Sequence, residues 1–296
     1  MLVVMLYFAY GSNLNTRDRQ SWCARNEVED FLPEAAGVGY LPDMEPVFHY
    51  RSSVRQGGAL DVRRRRGQLT PGGLFEVDAR GWELLDRKER APDYYRRRPV
   101  QVLTDCGKVL PAVTYEVVPE RTEGFVKPTS EYVETVCQGL WDLGLTDLLL
   151  GATAKGDSPV PWLVDGVFVY GTLMQGECRH QSLQGDAEVH CTGPARTSGR
   201  LLDLGDFPGL IPAVQQGEQV LGEYYQVADV GRTLGILDEI EEFRGYGVPG
   251  SLYTRVLTRV DVGAGVLQLA WTYHLAEIPY TASVIQSGSW RGRAKS

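Results

Sequence analysis

The sequence predicts an α+β protein built from two related domains. Three observations lead there. A short pattern occurs twice: Phe8-Ala9-Tyr10-Gly11-Ser12-Asn13-Leu14 near the start and Phe168-Val169-Tyr170-Gly171-Thr172-Leu173 near the middle. Each copy is followed by Leu-Asp-x-x-Glu, with 79 residues from Tyr10 to Glu89 and 71 from Tyr170 to Glu241. Strand-like segments dominate without regular alternation with helices, which favours a mixed or antiparallel curved sheet over a doubly wound one. The length of 296 residues fits two domains, and the repeat supports that count more firmly than length does.

Residues 1–10 read as a buried strand, because a β-branched and aromatic run stops at Gly11. Residues 15–23 are polar and suit the first turns of a helix, with Ser12, Asn13 and Asn15 as candidate N-caps. Residues 42–50 and 58–62 look like strand pieces divided by a glycine turn, and 73–77 like a short strand. Residues 78–90 read as a helix whose apolar side carries Trp82, Leu84 and Leu85. Residues 99–103 and 110–118 resemble paired strands around Asp105-Cys106-Gly107. Residues 130–150 have helical spacing, with Gly139 and Gly144 as weak points or ends.

Residues 1–150 are thus expected to form the first domain, 151–165 the linker and 166–296 the second. The linker assignment rests on Gly, Ser, Lys and two prolines without periodicity. In the second domain 167–170, 199–204, 219–227, 252–262 and 266–274 read as strands, 205–212 as turn-rich and 229–243 as the counterpart helix. The tail after Tyr280 is expected to be mobile.

Composition is that of an ordinary soluble globular protein, 43% hydrophobic and 23% charged. A net charge of −8 and a pI of about 5.2 speak against nonspecific binding to nucleic acid or to anionic membranes. The basic runs Arg63–Arg66 and Arg96–Arg98 are read as a solvated hairpin end and a strand edge. The N-terminal apolar run is short and lacks a basic flank and a cleavage site, so no signal peptide is expected. No stretch approaches the roughly 18–20 apolar residues of a membrane helix. Five scattered cysteines without a C-x-x-C pair indicate neither zinc nor a disulfide framework, and a reducing cytoplasm is the expected location.

The repeated motifs carry the chemistry. Glycine after a strand lets the backbone turn sharply by adopting φ > 0, so that the following amides point into one concavity. Such a hollow binds a carboxylate or an oxyanion, helped by a helix that starts just beyond. Glu89 and Glu241 lie four residues after a core-facing leucine, so each sits near the buried face of its helix. A desolvated carboxylate has a raised pKa, which suits a general base near neutral pH. A third shared element, Tyr94-Tyr95-Arg96 and Tyr253-Thr254-Arg255, is a Tyr-x-Arg pattern that could position loop or substrate, or simply pack at the surface. His49, His180, His190 and His274 share no metal spacing, and G-x-S-x-G is missing, which argues against a serine hydrolase.

Together these residues resemble the γ-glutamylcyclotransferase superfamily. The first half is similar to the γ-glutamylcyclotransferase branch through Tyr10-Gly11-Ser12-Asn13-Leu14, Gly73-Leu74-Phe75-Glu76-Val77, Leu85-Asp86-Arg87-Lys88-Glu89 and Pro128-Thr129-Ser130-Glu131-Tyr132. The second half is similar to the γ-glutamylamine cyclotransferase and AIG2-like branch through residues 167–174, Phe207-Pro208-Gly209-Leu210 and Leu237-Asp238-Glu239-Ile240-Glu241. In two places the chain departs from the pattern: Arg90 stands where glycine usually follows the glutamate, and Glu242 and Phe243 follow Glu241.

The resemblance implies a small mixed-sheet barrel with flanking helices in each domain. It implies an enzyme, of lyase or transferase type, that releases 5-oxoproline and a free amine from γ-glutamyl amides or peptides. Glu89 and Glu241 are the expected acid/bases. Tyr10, Gly11, Ser12, Asn13, Leu14 and Tyr94, and Tyr170, Gly171, Thr172, Leu173 and Tyr253, are the expected substrate-binding residues. No metal or other cofactor is implied, and the partner is a small γ-glutamyl molecule. The alternative is a protein that binds such a ligand without turning it over. A further option is removal of a γ-glutamyl protecting group from a specialised metabolite. The duplication leaves open an internal pseudo-dimer.

Overall fold

The computed structural model describes residues 5–157, 159–184 and 189–293. The first four residues of the expected N-terminal strand lie outside them. The chain divides into two compact units, the first running to Leu163 and the second from Val164, which also takes in the Leu103–Val109 hairpin turn.

The first unit is a closed five-stranded barrel. Its strands are β1 (Met5–Ala9), β2 (Gly37–Ser52), β3 (Gly57–Val77), β4 (Tyr95–Leu103) and β5 (Val109–Val117), in the order β1-β3-β2-β4-β5. One parallel bridge, Tyr7 to Val113, closes the ring and makes the sheet mixed. Helices α1 (Thr16–Arg25), α2 (Ala79–Glu89), α3 (Ser130–Asp142) and α4 (Leu148–Lys155) flank it. The core gathers Phe8, Leu85, Val102 and Val136, each essentially inaccessible.

Local chemistry accounts for the helix ends. Asn15 caps α1 by accepting from the Asp18 amide at 3.0 Å, and Asp78 caps α2 by accepting from the Gly81 amide at 2.7 Å. The helical run 130–150 breaks at Gly144, which takes φ 69, so it forms two helices. Gly139 sits inside α3 for a different reason: a Cβ there would lie 2.6 Å from Leu14 Cβ. Glycine lets the helix press against the turn after β1.

Three segments differ from the sequence reading. The expected pieces 42–50, 58–62 and 73–77 belong to two long strands that pair from Gly37↔Leu74 to Ser52↔Gly57. The arginine run 63–66 is therefore not a hairpin end but the middle of β3. Arg63 and Arg65 bond to Glu45 opposite, and Arg65 also stacks on Trp162 at 3.9 Å. Residues 148–155 are helical, and the chain beyond lies along β3, with Arg65 donating to the Val160 carbonyl and Gln68 to the Pro161 carbonyl.

The second unit repeats the barrel. Its strands are β6 (Gly166–Val169), β7 (Val189–Ser198), β10 (Gln219–Val227), β11 (Tyr253–Asp261) and β12 (Leu267–Leu275), in the order β10-β6-β12-β11-β7. A parallel bridge, Trp271 to Val167, again closes the ring. A short helix α5 (Gln181–Gln184) follows β6, and α6 (Val230–Ile240) follows β10 as α2 follows β3. A three-stranded sheet is added from β8 (Arg200–Asp203), β9 (Pro208–Ile211) and β13 (Ser283–Val284).

Strand β9 lies in the segment read as turn-rich, because Pro208–Ile211 is apolar enough to be buried throughout. The expectation of a mobile tail is also overturned for residues 281–293. Strand β13 pairs with β8, Trp290 is buried, and Arg291 reaches Glu223 at 3.0 Å.

Candidate functional site

Each barrel has one cavity where the glycine turn meets the glutamate. In the first, β1 runs into a 3₁₀ turn over Ser12–Leu14 closed by the Leu14 amide donating to the Gly11 carbonyl at 3.0 Å. Such a turn leaves the amides of Ser12 and Asn13 without an acceptor inside it. Helix α2 ends at Glu89, and both face a cavity of ≈ 360 Å³. In the second, the Met174 amide donates to the Gly171 carbonyl at 3.0 Å, leaving the amides of Thr172 and Leu173 in the same situation. Glu241 directly follows α6 and shares with that turn a cavity of ≈ 80 Å³.

The matching turns align Leu14 with Met174 and Asn13 with Leu173. The carboxylates accordingly have different neighbours. Asn13 is buried, and its Nδ2 donates to Glu89 Oε1 and to the Tyr7 hydroxyl, both at 2.8 Å. Glu241 has no side-chain hydrogen bond or ion pair among the described residues. Burial pushes its pKa up to about 7, opposed by the charge of Arg179.

Of the expected binding residues, Tyr10, Gly11, Ser12, Asn13 and Tyr94 line the first cavity, and Tyr170, Gly171, Thr172, Leu173 and Tyr253 the second. Leu14 does not line it; its side chain packs against Gly73 and Gly139. The hydroxyls of Tyr10, Tyr170 and Tyr253 are already engaged. Tyr10 donates to the Tyr115 carbonyl and Tyr170 to the Tyr273 carbonyl, each at 2.7 Å, while Tyr253 donates to the Pro208 carbonyl at 2.6 Å. Burial raises the pKa of Tyr10 and Tyr170 well above the usual phenol range, so both present neutral rings.

The glycines serve a purpose other than the expected one. Gly11 has φ −112, and Gly171 is not among the residues with positive φ. A Cβ on Gly171 would lie 2.5 Å from Pro208 Cγ, and one on Gly11 would point toward the Tyr132 hydroxyl at 3.8 Å. Close approach, rather than backbone twist, excludes a side chain at Gly171.

The Tyr-x-Arg alignment shifts by one residue. In the second barrel Asp238 accepts from Arg255 Nη1 at 2.8 Å and from the Tyr273 hydroxyl at 2.7 Å. In the first barrel Asp86 accepts from Arg97 Nη2 at 2.7 Å and from the Tyr115 hydroxyl at 2.6 Å. Arg97, not Arg96, is therefore the counterpart of Arg255, and Tyr95, not Tyr94, that of Tyr253. Arg96 instead bonds to Glu116, and Tyr94 lies between the guanidinia of Arg90 and Arg121 at 3.6 and 3.7 Å.

Sequence reasoning gave no role to this Asp–Tyr–Arg group, although Asp86 and Asp238 occupy the same place in the repeated Leu-Asp-x-x-Glu. It also missed a charged group in the first cavity: Arg55 bonds bidentately to Asp18 at 2.7 Å and donates to Ser12 Oγ at 3.0 Å. Arg55 comes from the β2–β3 turn, which has no repeated pattern to mark it. Among the described residues no three His, Cys, Asp or Glu side chains gather as a metal-ligand set, and no helix is long and apolar enough to cross a membrane.

Chemically, each cavity offers one carboxylate for a proton and two turn amides that have no acceptor among the described residues. Several proteins are similar to this chain. A γ-L-glutamyl-butirosin B γ-glutamyl cyclotransferase of Niallia circulans is 36% identical over 108 residues, which cover 36% of this chain and 64% of that relative. A putative γ-glutamylcyclotransferase of Vibrio cholerae is 36% identical over 124 residues, covering 42% of this chain and 93% of that protein. A solved structure described as a γ-glutamyl cyclotransferase is 24% identical with a TM-score of 0.43, covering 54% of this chain and 90% of its own. The family model described as "Gamma-glutamyl cyclotransferase, AIG2-like" matches residues 7–142 and again 167–292, and the chain therefore belongs to that family, with two copies in tandem.

Proposed function

We propose that each barrel is a cyclotransferase site that releases 5-oxoproline and a free amine from a γ-glutamyl amide or peptide. The observation that supports this most is the meeting, twice in one chain, of an open amide turn and a glutamate in one cavity. The name of the Niallia circulans relative, which specifies a γ-glutamyl-butirosin substrate, supports the same reaction class and makes an amine-bearing metabolite a candidate substrate.

The reaction is intramolecular. Glu89 or Glu241 takes a proton from the substrate α-ammonium, and the freed amine attacks the γ-amide carbonyl. A C–N bond forms, closing a five-membered ring. The tetrahedral oxyanion or the substrate α-carboxylate rests on the amides of Ser12 and Asn13, or of Thr172 and Leu173. The same glutamate returns that proton to the departing nitrogen as the original C–N bond breaks, then takes the second proton from the ring nitrogen and passes it to the released amine, which leaves as its ammonium form. Nucleophile and electrophile share one molecule, and well-oriented pairs of this kind reach effective molarities of about 10⁵–10⁸ M. Orientation and one proton shuttle are what the site has to supply.

The test is 5-oxoproline release from a panel of γ-glutamyl amines and peptides by the full chain and by Glu89→Gln, Glu241→Gln and the double variant. Each single variant is expected to lose the activity of its own barrel by about 10²–10⁴-fold, and the double variant both. Undiminished turnover in the double variant rejects the mechanism. Ligand-induced heat protection without any product would instead indicate a binding protein.

A further inference from the structure

We infer that the third residue of each glycine turn, Asn13 in the first barrel and Leu173 in the second, is a positioning residue that sets the pH range in which that barrel's glutamate serves as a base. This deepens the reading above, because it takes both glutamates to be functional.

The two turns superpose in their hydrogen bonding, so Asn13 and Leu173 hold one structural position. What they join to is replaced as well. Tyr7, the other partner of Asn13 Nδ2, forms the parallel bridge to β5, and the residue with that bridge in the second barrel is Val167. A hydrogen-bonded chain Tyr7–Asn13–Glu89 is thus matched by the aliphatic pair Val167 and Leu173 beside Glu241. Both members of that pair line the Glu241 cavity.

An N–H aimed at a carboxylate favours its charged form, and apolar walls favour the protonated form. Asn13 holds its place at a cost, since its Oδ1 is buried without a hydrogen-bond partner among the described residues. Leucine at that position would avoid the cost, so the benefit of asparagine lies in the bond to Glu89.

Other charged and titratable groups also face both carboxylates. Glu89 interacts with Tyr7 on β1, Tyr50 on β2, Arg55 on the β2–β3 turn, Lys88 on α2, Tyr95 on β4 and Tyr132 on α3. Glu241 interacts with Arg179 beyond its turn, Tyr170 after β6, Tyr253 on β11 and Tyr273 on β12. Two cations, Arg55 and Lys88, face Glu89 and one, Arg179, faces Glu241; among the described residues only Glu89 also accepts a side-chain N–H, and substitutions at positions 13 and 173 leave those cations in place.

The experiment is a ¹³C NMR titration of glutamate side-chain carboxyl carbons in the full-length chain. The Glu89 and Glu241 resonances are identified by their loss in Glu89→Gln and Glu241→Gln. Leu173→Asn is expected to lower the Glu241 midpoint by about one pH unit, and Asn13→Leu to raise that of Glu89 by a similar amount. Tyr7→Phe removes only a hydroxyl that anchors Asn13 and is expected to shift Glu89 upward by less, which keeps the test valid if Asn13→Leu does not fold.

Midpoints that stay put in folded Leu173→Asn and Tyr7→Phe overturn the inference. The acid limb of turnover by the second barrel, read in the Glu89→Gln background, should move down with Leu173→Asn. Shifted midpoints without any turnover would uphold the positioning role and reject the enzymatic reading.

Discussion

Around Glu89 the first barrel leaves a cavity of ≈ 360 Å³ with Asp18, Arg55 and Lys88 in its wall; around Glu241 the second leaves ≈ 80 Å³, with Val167, Phe168, Val169 and Leu173 in its wall and Arg179 as its cation. The strand order, the closing parallel bridge and the placement of turn and glutamate are common to both. The Asp–Tyr–Arg group beneath each glutamate is common too, yet it is half exposed in one barrel and buried in the other. Arg97 and Asp86 are 37% and 38% exposed, whereas Arg255 and Asp238 are 1% and 15%. Chain length explains this. Arg97 follows Glu89 by eight residues and Arg255 follows Glu241 by fourteen. The longer connection places Phe243 and Tyr246 over the Arg255 guanidinium at 5.2 and 5.5 Å, with the Tyr246 hydroxyl 3.2 Å from Nε. The comparison teaches that this fold fixes where the carboxylate sits and leaves its surroundings to single side chains and one connection.

The sharpest way to break that comparison is to remove the arginines. Arg255→Ala takes the ion-pair partner from a largely buried Asp238, which keeps the Tyr273 hydroxyl, and empties the space under Phe243, Tyr246 and Trp271. It is expected to cost about 3–5 kcal/mol, the usual penalty for orphaning one partner of a buried pair. Arg97→Ala removes a half-exposed pair and is expected to cost about 0–1 kcal/mol. Urea unfolding of the full chain, followed at two wavelengths to separate the transitions, reads both. Equal losses would mean that the longer connection does not set the energetics.

A second contrast lies in pH. The pKa of Glu241 is raised by burial to about 7, while a glutamate in an unfolded chain titrates near 4.3. The native state therefore holds this proton more tightly than the unfolded state. Its contribution is fully favourable below about pH 4 and is lost as pH rises through about 7, a swing of at most about 4 kcal/mol. Glu241→Gln keeps the shape and removes the titration. It is expected to stabilise the second barrel at pH 8 and leave it unchanged at pH 4, as measured by thermal midpoints at the two pH values. A stabilisation that is the same at both would show that desolvation of the charge is not the cause.

Much of this was legible in the sequence, and the residues say why. The repeated Tyr-Gly-Ser/Thr and Leu-Asp-x-x-Glu are local and periodic, so the turns, the helices and the meeting of Glu89 and Glu241 with them could be anticipated. The barrel closure could not be read from periodicity, because Tyr7–Val113 and Val167–Trp271 join residues about a hundred apart; there the family resemblance supplied the expectation. The Tyr-x-Arg register failed because two adjacent tyrosines and three adjacent arginines at 94–98 offer two alignments, and only the bond to Asp86 decides. Arg55 was invisible for lack of any repeat. Most instructive is position 13 of the first copy, which the sequence displays as Asn against Leu173. Its meaning appears only when Glu89, 76 residues away, is found 2.8 Å from its amide.

The residue after each glutamate gives the smallest and most symmetrical test. Arg90 and Glu242 both adopt left-handed backbone, with φ 54 and 51, where glycine would fit without a Cβ penalty. This conformation costs an ordinary L residue about 1–2 kcal/mol, and glycine gives part of that back by enlarging the entropy of the unfolded chain. Glu242 is exposed, and its side chain makes no hydrogen bond or ion pair among the described residues, so Glu242→Gly is expected to stabilise the second barrel by about 0.5–1 kcal/mol. Arg90 differs because its guanidinium lies 3.6 Å from the Tyr94 ring centroid, an attraction of about 0.5–1 kcal/mol at an exposed site. Arg90→Gly relieves the backbone and loses the stacking, so its net effect is expected near zero. Urea midpoints of the two variants separate these terms. If Arg90→Gly gains as much as Glu242→Gly, the stacking on Tyr94 contributes nothing. If both lose stability, the left-handed turn after each glutamate is held by its side chains and not tolerated in spite of them.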